Sequence, residues 1–415
     1  MQPLRGTKDI LPNEIIFWKH IYKKTSEILS LSNYFEIQTP IIESTSLFNR
    51  SIGNATDIVN KEMYNFLDQS KRNITLRPEG TASIARAFIS NKLYLSNKTQ
   101  RLWYLGPMFR YERPQSGRQR QFHQLGIECI GSINPMADTE VIRLANLLLL
   151  ELGCHNHRIE INSIGNIEER SLYKEDLTKY LTKYKEDLDH DSKKRLTINP
   201  LRILDSKNKK TQYILTEAPL LENYLKSESR NHFNCICEYL NNLNIKYNIN
   251  SKLVRGLDYY NYTAFEIKTD ELGNQDTICG GGRYDKLIKQ LGGPETPAVG
   301  WAIGIERLLL IIKNNIQIKQ TSINIYIATQ GIEAKKKIWD IIKILEQQKI
   351  NFELDLHNSS LQKQIKRAYK SGAQICLILG EDEIAQKSLT LKWLNKNYQK
   401  TILNINLIKE LQEIN

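Results

Sequence analysis

The sequence contains no C-x-x-C pair. Its six cysteines, Cys129, Cys154, Cys235, Cys237, Cys279 and Cys376, are scattered along the chain. That removes the usual spacing of a zinc site or a redox pair and makes reduced, mostly buried thiols the expectation. The nearest two, Cys235 and Cys237, fall in a helical-looking NHFNCICEYL, where an i, i+2 spacing points the side chains apart; packing is their expected role, and no structural metal is expected. No apolar run approaches the roughly 20 residues that span a bilayer, and LANLLLLELG, the longest, has the stripe of a buried helix face. The amino terminus, MQPLRGTKDILP, has no apolar core of the signal-peptide kind. A soluble cytoplasmic protein with no membrane partner is expected. There is no G-x-x-x-x-G-K-[ST] loop, and GGGRYD at 280–285 lacks the third glycine of a dinucleotide fingerprint. Any bound nucleotide must therefore be held by side chains.

Acidic charge is also in deficit. Lys and Arg number 58 against 46 Asp and Glu, a net charge of +12, which favours a polyanionic partner without identifying one. The 415 residues, 40% hydrophobic and 25% charged, suffice for two or three domains at about 150 residues each.

Residues 13–31 carry apolar residues at helical spacing and lead into an extended FEIQTPIIE, which Pro40 interrupts or confines to an edge. Strand-like NITLRPEG and RLWYLGPMFRYER flank a helix, TASIARAFIS, and HRIEINSIG, TAFEIKT and DTICGGGRYD also read as strands. Their order lacks regular β-α-β alternation, so the expectation is an α+β fold with an antiparallel sheet and flanking helices. From 168 to 250 the composition shifts to Lys, Glu, Asn and Tyr with helical periodicity, the mark of an inserted module. A polar boundary near KNNIQIKQTS precedes INIYIAT, INFELDL and QICLILG, strands separated by two helical stretches, the pattern of a small α/β domain. The expected division is 1–167 and 251–318 for one domain, 168–250 for the insertion, and 319–415 for the last domain.

The stretch FRYERPQSGRQRQFHQ, residues 109–124, holds four arginines and one glutamate. Strand alternation would put Arg110 and Glu112 side by side. Arg110 could grip a phosphate, Glu112 accept from an exocyclic amine, and Phe122 offer a stacking face. A surface hairpin with ion pairs explains the same residues equally well.

Three further segments change the balance. TLRPEGTAS (75–83), LVRGLDYYNYTAFEI (253–267) and AVGWAIGIERLL (298–309), together with 109–124, resemble the signature motifs of the histidyl-tRNA synthetase family. RLWYLGPMFRYERP is similar to the second motif of class II synthetases, GIER to the third, and EIQTPIIE with Pro40 to the first; the HIGH and KMSKS signatures of class I are absent.

The resemblance implies roles, residue by residue. Arg110 would hold the ATP α-phosphate, Glu112 the adenine amino edge and Phe122 one adenine face. Arg307 would cover the other face and reach the γ-phosphate. Arg255 would bridge the amino-acid carboxylate and the α-phosphate, with Gly256 letting the substrate come close. Glu79, Thr81 and Gln124 would accept from the α-amino group, with helix capping an alternative or coexisting role for Glu79. Glu128 and Tyr260 would contact the imidazole, and Tyr259, Tyr284 and Gly280 to Gly282 would wall the pocket. Arg113 would meet ATP or tRNA phosphates, and Arg118 and Arg120 the tRNA acceptor end. On SLQKQIKRAYKSG, Lys363, Lys366, Arg367 and Lys370 form one basic face. That pattern usually marks a solvated face; in a domain resembling the family's anticodon-binding module it implies RNA contact.

The implied partners are L-histidine, ATP with Mg²⁺, tRNA(His) and a second copy of the chain, the last across the amino-terminal helix and the EIQTPIIE strand. Trp301 stands where the third motif commonly has phenylalanine, and 168–250 matches least well. Two rivals remain at this stage, a noncatalytic synthetase-like regulatory subunit and a tRNA-binding protein with a vestigial ATP pocket.

Overall fold

Leu, Trp, Tyr, Phe and Ile crowd residues 100–109 and 121–130, and such residues suit a packed, pleated surface. In the computed structural model, which describes residues 1–412 except 54, 55, 57, 97, 116, 256, 258, 274, 275, 319–323 and 397, these two segments form one long antiparallel pair. Two compact units divide the chain, Met1–Ile318 and Lys319–Asn415.

In the first unit the strands are β1 (Phe35–Glu36), β2 (Ile42–Ser44), β3 (Tyr64–Leu67), β4 (Asn73–Leu76), β5 (Gln100–Phe109), β6 (Gln121–Ile130), β7 (Arg158–Gly165), β8 (Asn248–Ile249), β9 (Asn261–Lys268), β10 (Thr277–Arg283) and β11 (Ala298–Gly304). Among the described residues, eight make a sheet in the order β1-β5-β6-β11-β10-β9-β7-β8, and β2-β4-β3 make a small separate one. The centre of the large sheet is antiparallel, and only the short outermost strands pair in parallel. Pro40 falls between β1 and β2, where it needs no ladder partner.

The inner strands are buried on both faces, which is why they read as nearly continuous apolar runs rather than alternating ones. On one side, helices Pro12–Ser30, Pro135–Glu151 and Ile305–Asn315 close a core around Leu148, Ile161, Phe265 and Trp301. Trp301 fits by donating its indole N–H to the Val141 carbonyl at 2.9 Å, so the buried polar end is satisfied. On the other side, helix Thr81–Ser90 and the helical segment 167–224 share a second cluster with Tyr259, Tyr260 and Tyr284, whereas helix Ser227–Asn242 packs into the first through Ile236 and Leu240. Within that segment, Ile167–Lys183 begins with a capping box of Asn166 and Glu169. Arg283, with a fully buried side chain, ties the two sides by bonding Asp138, Asp285 and the Ser132 carbonyl; a buried cation demands such pairing.

In the second unit β12 (Ile325–Thr329), β13 (Phe352–Leu354) and β14 (Ile375–Leu379) pair in parallel, with helices Ile332–Gln347 and Leu361–Ser371 as crossovers. The sequence reading stops there. An antiparallel hairpin, β15 (Ser388–Trp393) with β16 (Tyr398–Leu403), extends the sheet; its short, lysine-bearing strands carry too weak an apolar signal to stand out. The basic stripe on Leu361–Ser371 also divides. Lys363, Lys366 and Lys370 are exposed, whereas Arg367 forms a bidentate pair with Asp355 at 2.8 and 3.0 Å.

Candidate active site

Gln124, Gly126 and Glu128 point to one face of β6, since side chains alternate along a strand. Opposite them on β5 stand Gly106, Tyr104 and Leu102, and on β11 Gly304, Ala302 and Gly300. Small residues on β11 leave a floor open beneath the larger groups. At Gly300 a Cβ would lie 1.9 Å from a Glu128 carboxylate oxygen, so Glu128 occupies space that only glycine leaves.

Glu128 is buried at 1% exposure. One of its oxygens accepts from the Thr81 hydroxyl at 2.8 Å and the other from the Tyr284 hydroxyl. Burial pushes its carboxyl up to about 8, against the opposing pull of the Tyr284 and Thr81 hydrogen bonds. Glu79, also buried, caps helix Thr81–Ser90 by accepting from the Thr81 and Ala82 amides at 2.7 and 2.8 Å, the placement that complements the helix dipole. The carbonyl oxygen of the Gln124 side chain is buried and has no hydrogen-bond partner among the described residues. Tyr259 stacks obliquely on Tyr260 at 4.7 Å between ring centres and meets Tyr284 edge-on at 5.7 Å. These residues gather buried donors and acceptors at one end of the sheet face, and Gln124 carries them to the pocket described next.

Arg255 stands beside these groups. Its guanidinium pairs with Glu266 and lies 5.6 Å from the centre of the Tyr260 ring, and its Nε is buried without a partner. Gly256 lies outside the described residues. A pocket of about 190 Å³ joins Arg255 and Gln124 to Arg110, Glu112, Phe122 and Arg307. Three arginines far apart in sequence thus line one cavity. Arg110 donates to the Pro78 carbonyl at 2.9 Å and lies 5.2 Å from the Phe122 ring centre. Arg307 donates to the Thr277 carbonyl at 2.9 Å.

The strand expected through Arg113 ends at Phe109. The Glu112 amide turns back onto the Arg110 carbonyl at 2.8 Å, ahead of Pro114, so Arg110 and Glu112 come within 3.9 Å through a turn rather than through strand alternation. Arg118 also lines the pocket and donates to Glu112 at 3.0 Å. Arg113 is exposed on the loop. Arg120 is held outside the lining, its guanidinium 3.9 Å from the centre of the Tyr111 ring and its stem against Gly6.

Glu266, Thr277 and Tyr104 belong to the site and carry no motif that singles them out. Glu266 could have been found by its place two residues along β9 from Ala264, on the face shared with the pocket. Tyr104 could have been found from Gly126 opposite it, because glycine inside a strand marks a close approach.

A family model described as Histidyl-tRNA synthetase matches residues 6–308, and one described as Anticodon binding domain matches residues 324–414. The chain belongs to the histidyl-tRNA synthetase family. It is 67% identical over 414 residues to a protein named histidine--tRNA ligase, chloroplastic, of Gracilaria tenuistipitata var. liui, covering 100% of this chain and 98% of that one. It is 50% identical to the histidine--tRNA ligase of Gloeothece citriformis, covering 100% and 96%. The solved structure of the apo S. aureus histidyl-tRNA synthetase superposes with a TM-score of 0.83 at 34% identity, over 99% of both chains. The fold is accordingly that of a class II histidyl-tRNA synthetase with a carboxyl-terminal anticodon-binding domain.

One consequence for the synthetase pocket follows from Gly280, whose added Cβ would lie 2.3 Å from an Arg255 nitrogen. The obstacle is the end of a flexible side chain, so Gly280→Ala should move Arg255 and leave the fold nearly intact. Amino-acid-dependent exchange of pyrophosphate into ATP is expected to fall roughly tenfold or more, since misplacing a positioning group by about 1 Å can cost on the order of 100-fold. The melting temperature should change little, and normal exchange would show that Arg255 has room to spare.

Proposed function

We propose that this synthetase joins L-histidine to tRNA(His) in two steps. The histidine carboxylate attacks the α-phosphorus of ATP, forming histidyl-adenylate as the bond to pyrophosphate breaks. A terminal hydroxyl of the tRNA, the 3'-hydroxyl of its last adenosine, then attacks the acyl carbon and AMP departs. The observation that carries this reading is the convergence of Arg110, Arg255 and Arg307 on one pocket next to the buried Glu128 group.

The first step builds negative charge on nonbridging oxygens around phosphorus, and fixed cations in a partly buried site stabilise it as it develops. In this reading Arg110 holds the α-phosphate and Arg307 the γ-phosphate, with Phe122 and Arg307 on the two faces of adenine and Glu112 at its amino edge. Glu112 must exchange Arg118 for that edge, which couples the loop that meets the acceptor end to nucleotide binding. ATP enters as its magnesium complex, because the triphosphate carries more charge than these arginines offset. Glu79, Thr81 and Gln124 take the α-amino group, and Glu128 with Tyr260 takes the imidazole. Arg113, Arg118 and Arg120 serve the acceptor end, with Arg113 also within reach of ATP phosphates. Lys363, Lys366 and Lys370 supply the exposed phosphate contacts of the anticodon-binding domain, and Arg367 orders that helix through Asp355.

The assembly is a homodimer. Leu31, Phe35, Ile42, Phe66 and Leu67 are 84%, 68%, 49%, 45% and 60% exposed on or beside β1, β2 and β3, apolar side chains that a second copy could cover. Among the described residues no helix is long and apolar enough to cross a membrane. The 67% identical relative is named chloroplastic, and we place the reaction in whichever compartment holds the matching tRNA.

Pyrophosphate exchange into ATP with each of a panel of amino acids, followed by aminoacylation of total tRNA, tests the assignment. Exchange should depend on histidine and the label should reach tRNA(His) alone. Exchange driven by another amino acid, or none at all, would overturn the reading.

A further inference from the structure

Among the described residues the Tyr104 hydroxyl has no hydrogen-bond partner of ordinary geometry, although Thr81 lies close to it. The side chain is buried at 4% exposure. A hydroxyl removed from water without a partner costs free energy, so the arrangement needs a reason. The ring is clamped between two glycines. A Cβ at Gly80 would lie 2.6 Å from the hydroxyl oxygen and one at Gly126 would lie 2.4 Å from it. The oxygen therefore sits where helix Thr81–Ser90 begins and β6 passes. Tyr104 is register partner to Gly126, on the sheet face it shares with Gln124 and Glu128. Thr81 is beside it but gives its one proton to Glu128, and both Glu79 oxygens are turned to the helix amides. Gln124, diagonally across the same face, holds the second buried acceptor without a partner. Two unpartnered acceptors on one face, beside a carboxylate, suit a group with several N–H donors and a positive charge.

We propose that the Tyr104 hydroxyl is a substrate contact that accepts a hydrogen bond from the α-ammonium group of the bound amino acid, alongside Gln124. The inference rests on the histidine-activating function proposed above. Burial, with the Glu128 and Glu79 carboxylates nearby, holds the phenol well above its ordinary pKa, so it stays a neutral hydroxyl across the working pH range.

Tyr104→Phe removes the oxygen and keeps the ring, so it separates contact from packing. In histidine-dependent pyrophosphate exchange with the full-length chain, KM for histidine should rise roughly tenfold, the loss of one hydrogen bond to a charged group, with kcat changed less. Binding of 3-(imidazol-4-yl)propanoate, which lacks the amine, should be unchanged. The ligand-free variant should melt no lower than wild type, and histidine should raise its melting temperature less. An unchanged KM, an equal weakening of the amine-free analogue, or a lower melting temperature without ligand would each overturn the proposal. Absence of histidine-dependent exchange in the wild type run alongside would instead strike the functional assignment itself.

Discussion

Arg255→Ala is expected to reduce histidine-dependent pyrophosphate exchange by about 10²–10³-fold while leaving tRNA affinity close to that of the unaltered chain. The expected size is that of removing one preorganised donor from a site where charge develops in the transition state. Arg255 is suited to such a loss. Its Nε is buried without a partner, its other end is paired with Glu266, and it faces both the pocket that holds Arg110 and Arg307 and the ring of Tyr260. A carboxylate approaching a phosphate needs a cation between them, and a planar guanidinium offers several donors at once. Removal also leaves Glu266 with only Lys268 at 3.5 Å and the Thr277 hydroxyl at 3.2 Å as partners, so the pocket becomes more negative and binding of both anions should suffer. Arg255→Lys should restore little, because a point charge does not reproduce the fork. Exchange within a few-fold of normal in Arg255→Ala would remove the residue from the chemistry.

The second large effect concerns Glu128. Its carboxyl is pushed up to about 8 by burial, opposed by Tyr284 and Thr81, so the free enzyme carries it largely protonated at pH 7. Accepting from a ring N–H of histidine favours the ionised form. The value of kcat/KM for histidine should therefore rise as pH passes through about 8, and Glu128→Gln should erase that limb and lower the plateau about 10–100-fold, in line with a hydrogen bond to a charged group. Stability moves the opposite way. An unfolded glutamate titrates near about 4.3, so between that value and about 8 the folded protein holds a proton that the unfolded chain has lost. The contribution is fully present below about pH 4 and drains away as pH climbs to 8. The melting temperature of Glu128→Gln, which has no proton to lose, should accordingly gain on wild type across that window. A pH-independent difference between the two proteins would show that Glu128 does not titrate there.

The fold class was legible because strands without regular helix alternation point to antiparallel pairing, and helix Thr81–Ser90 lies where the sequence put it, while β5 starts as expected and stops four residues short, at Phe109. The hairpin β15–β16 was not, because short strands, each interrupted by a lysine, look like loop. The small sheet β2-β4-β3 was also missed: β4 reads like any strand, and nothing in NITL says which sheet it joins. Within the site, motif residues were legible as motifs, and Arg110, Glu112, Phe122, Gln124, Arg255 and Arg307 line one cavity. What sequence spacing could not supply was the traffic between them. That Glu112 is held by Arg118, that Arg120 turns away toward Tyr111, and that Arg367 is bound by Asp355 all depend on contacts between segments that no local pattern records.

The helical segment 167–224 lends Leu196, Ile203 and Leu215 to the same apolar cluster as Tyr259, Tyr260 and Tyr284. A segment that reads as an appendage is therefore also masonry: loosening it by proteolytic nicking or by a polar substitution at Ile203 withdraws backing from the rings of Tyr259, Tyr260 and Tyr284. In the function proposed above those rings wall the amino-acid pocket, so selectivity for the amino acid and integrity of these helices should fall together.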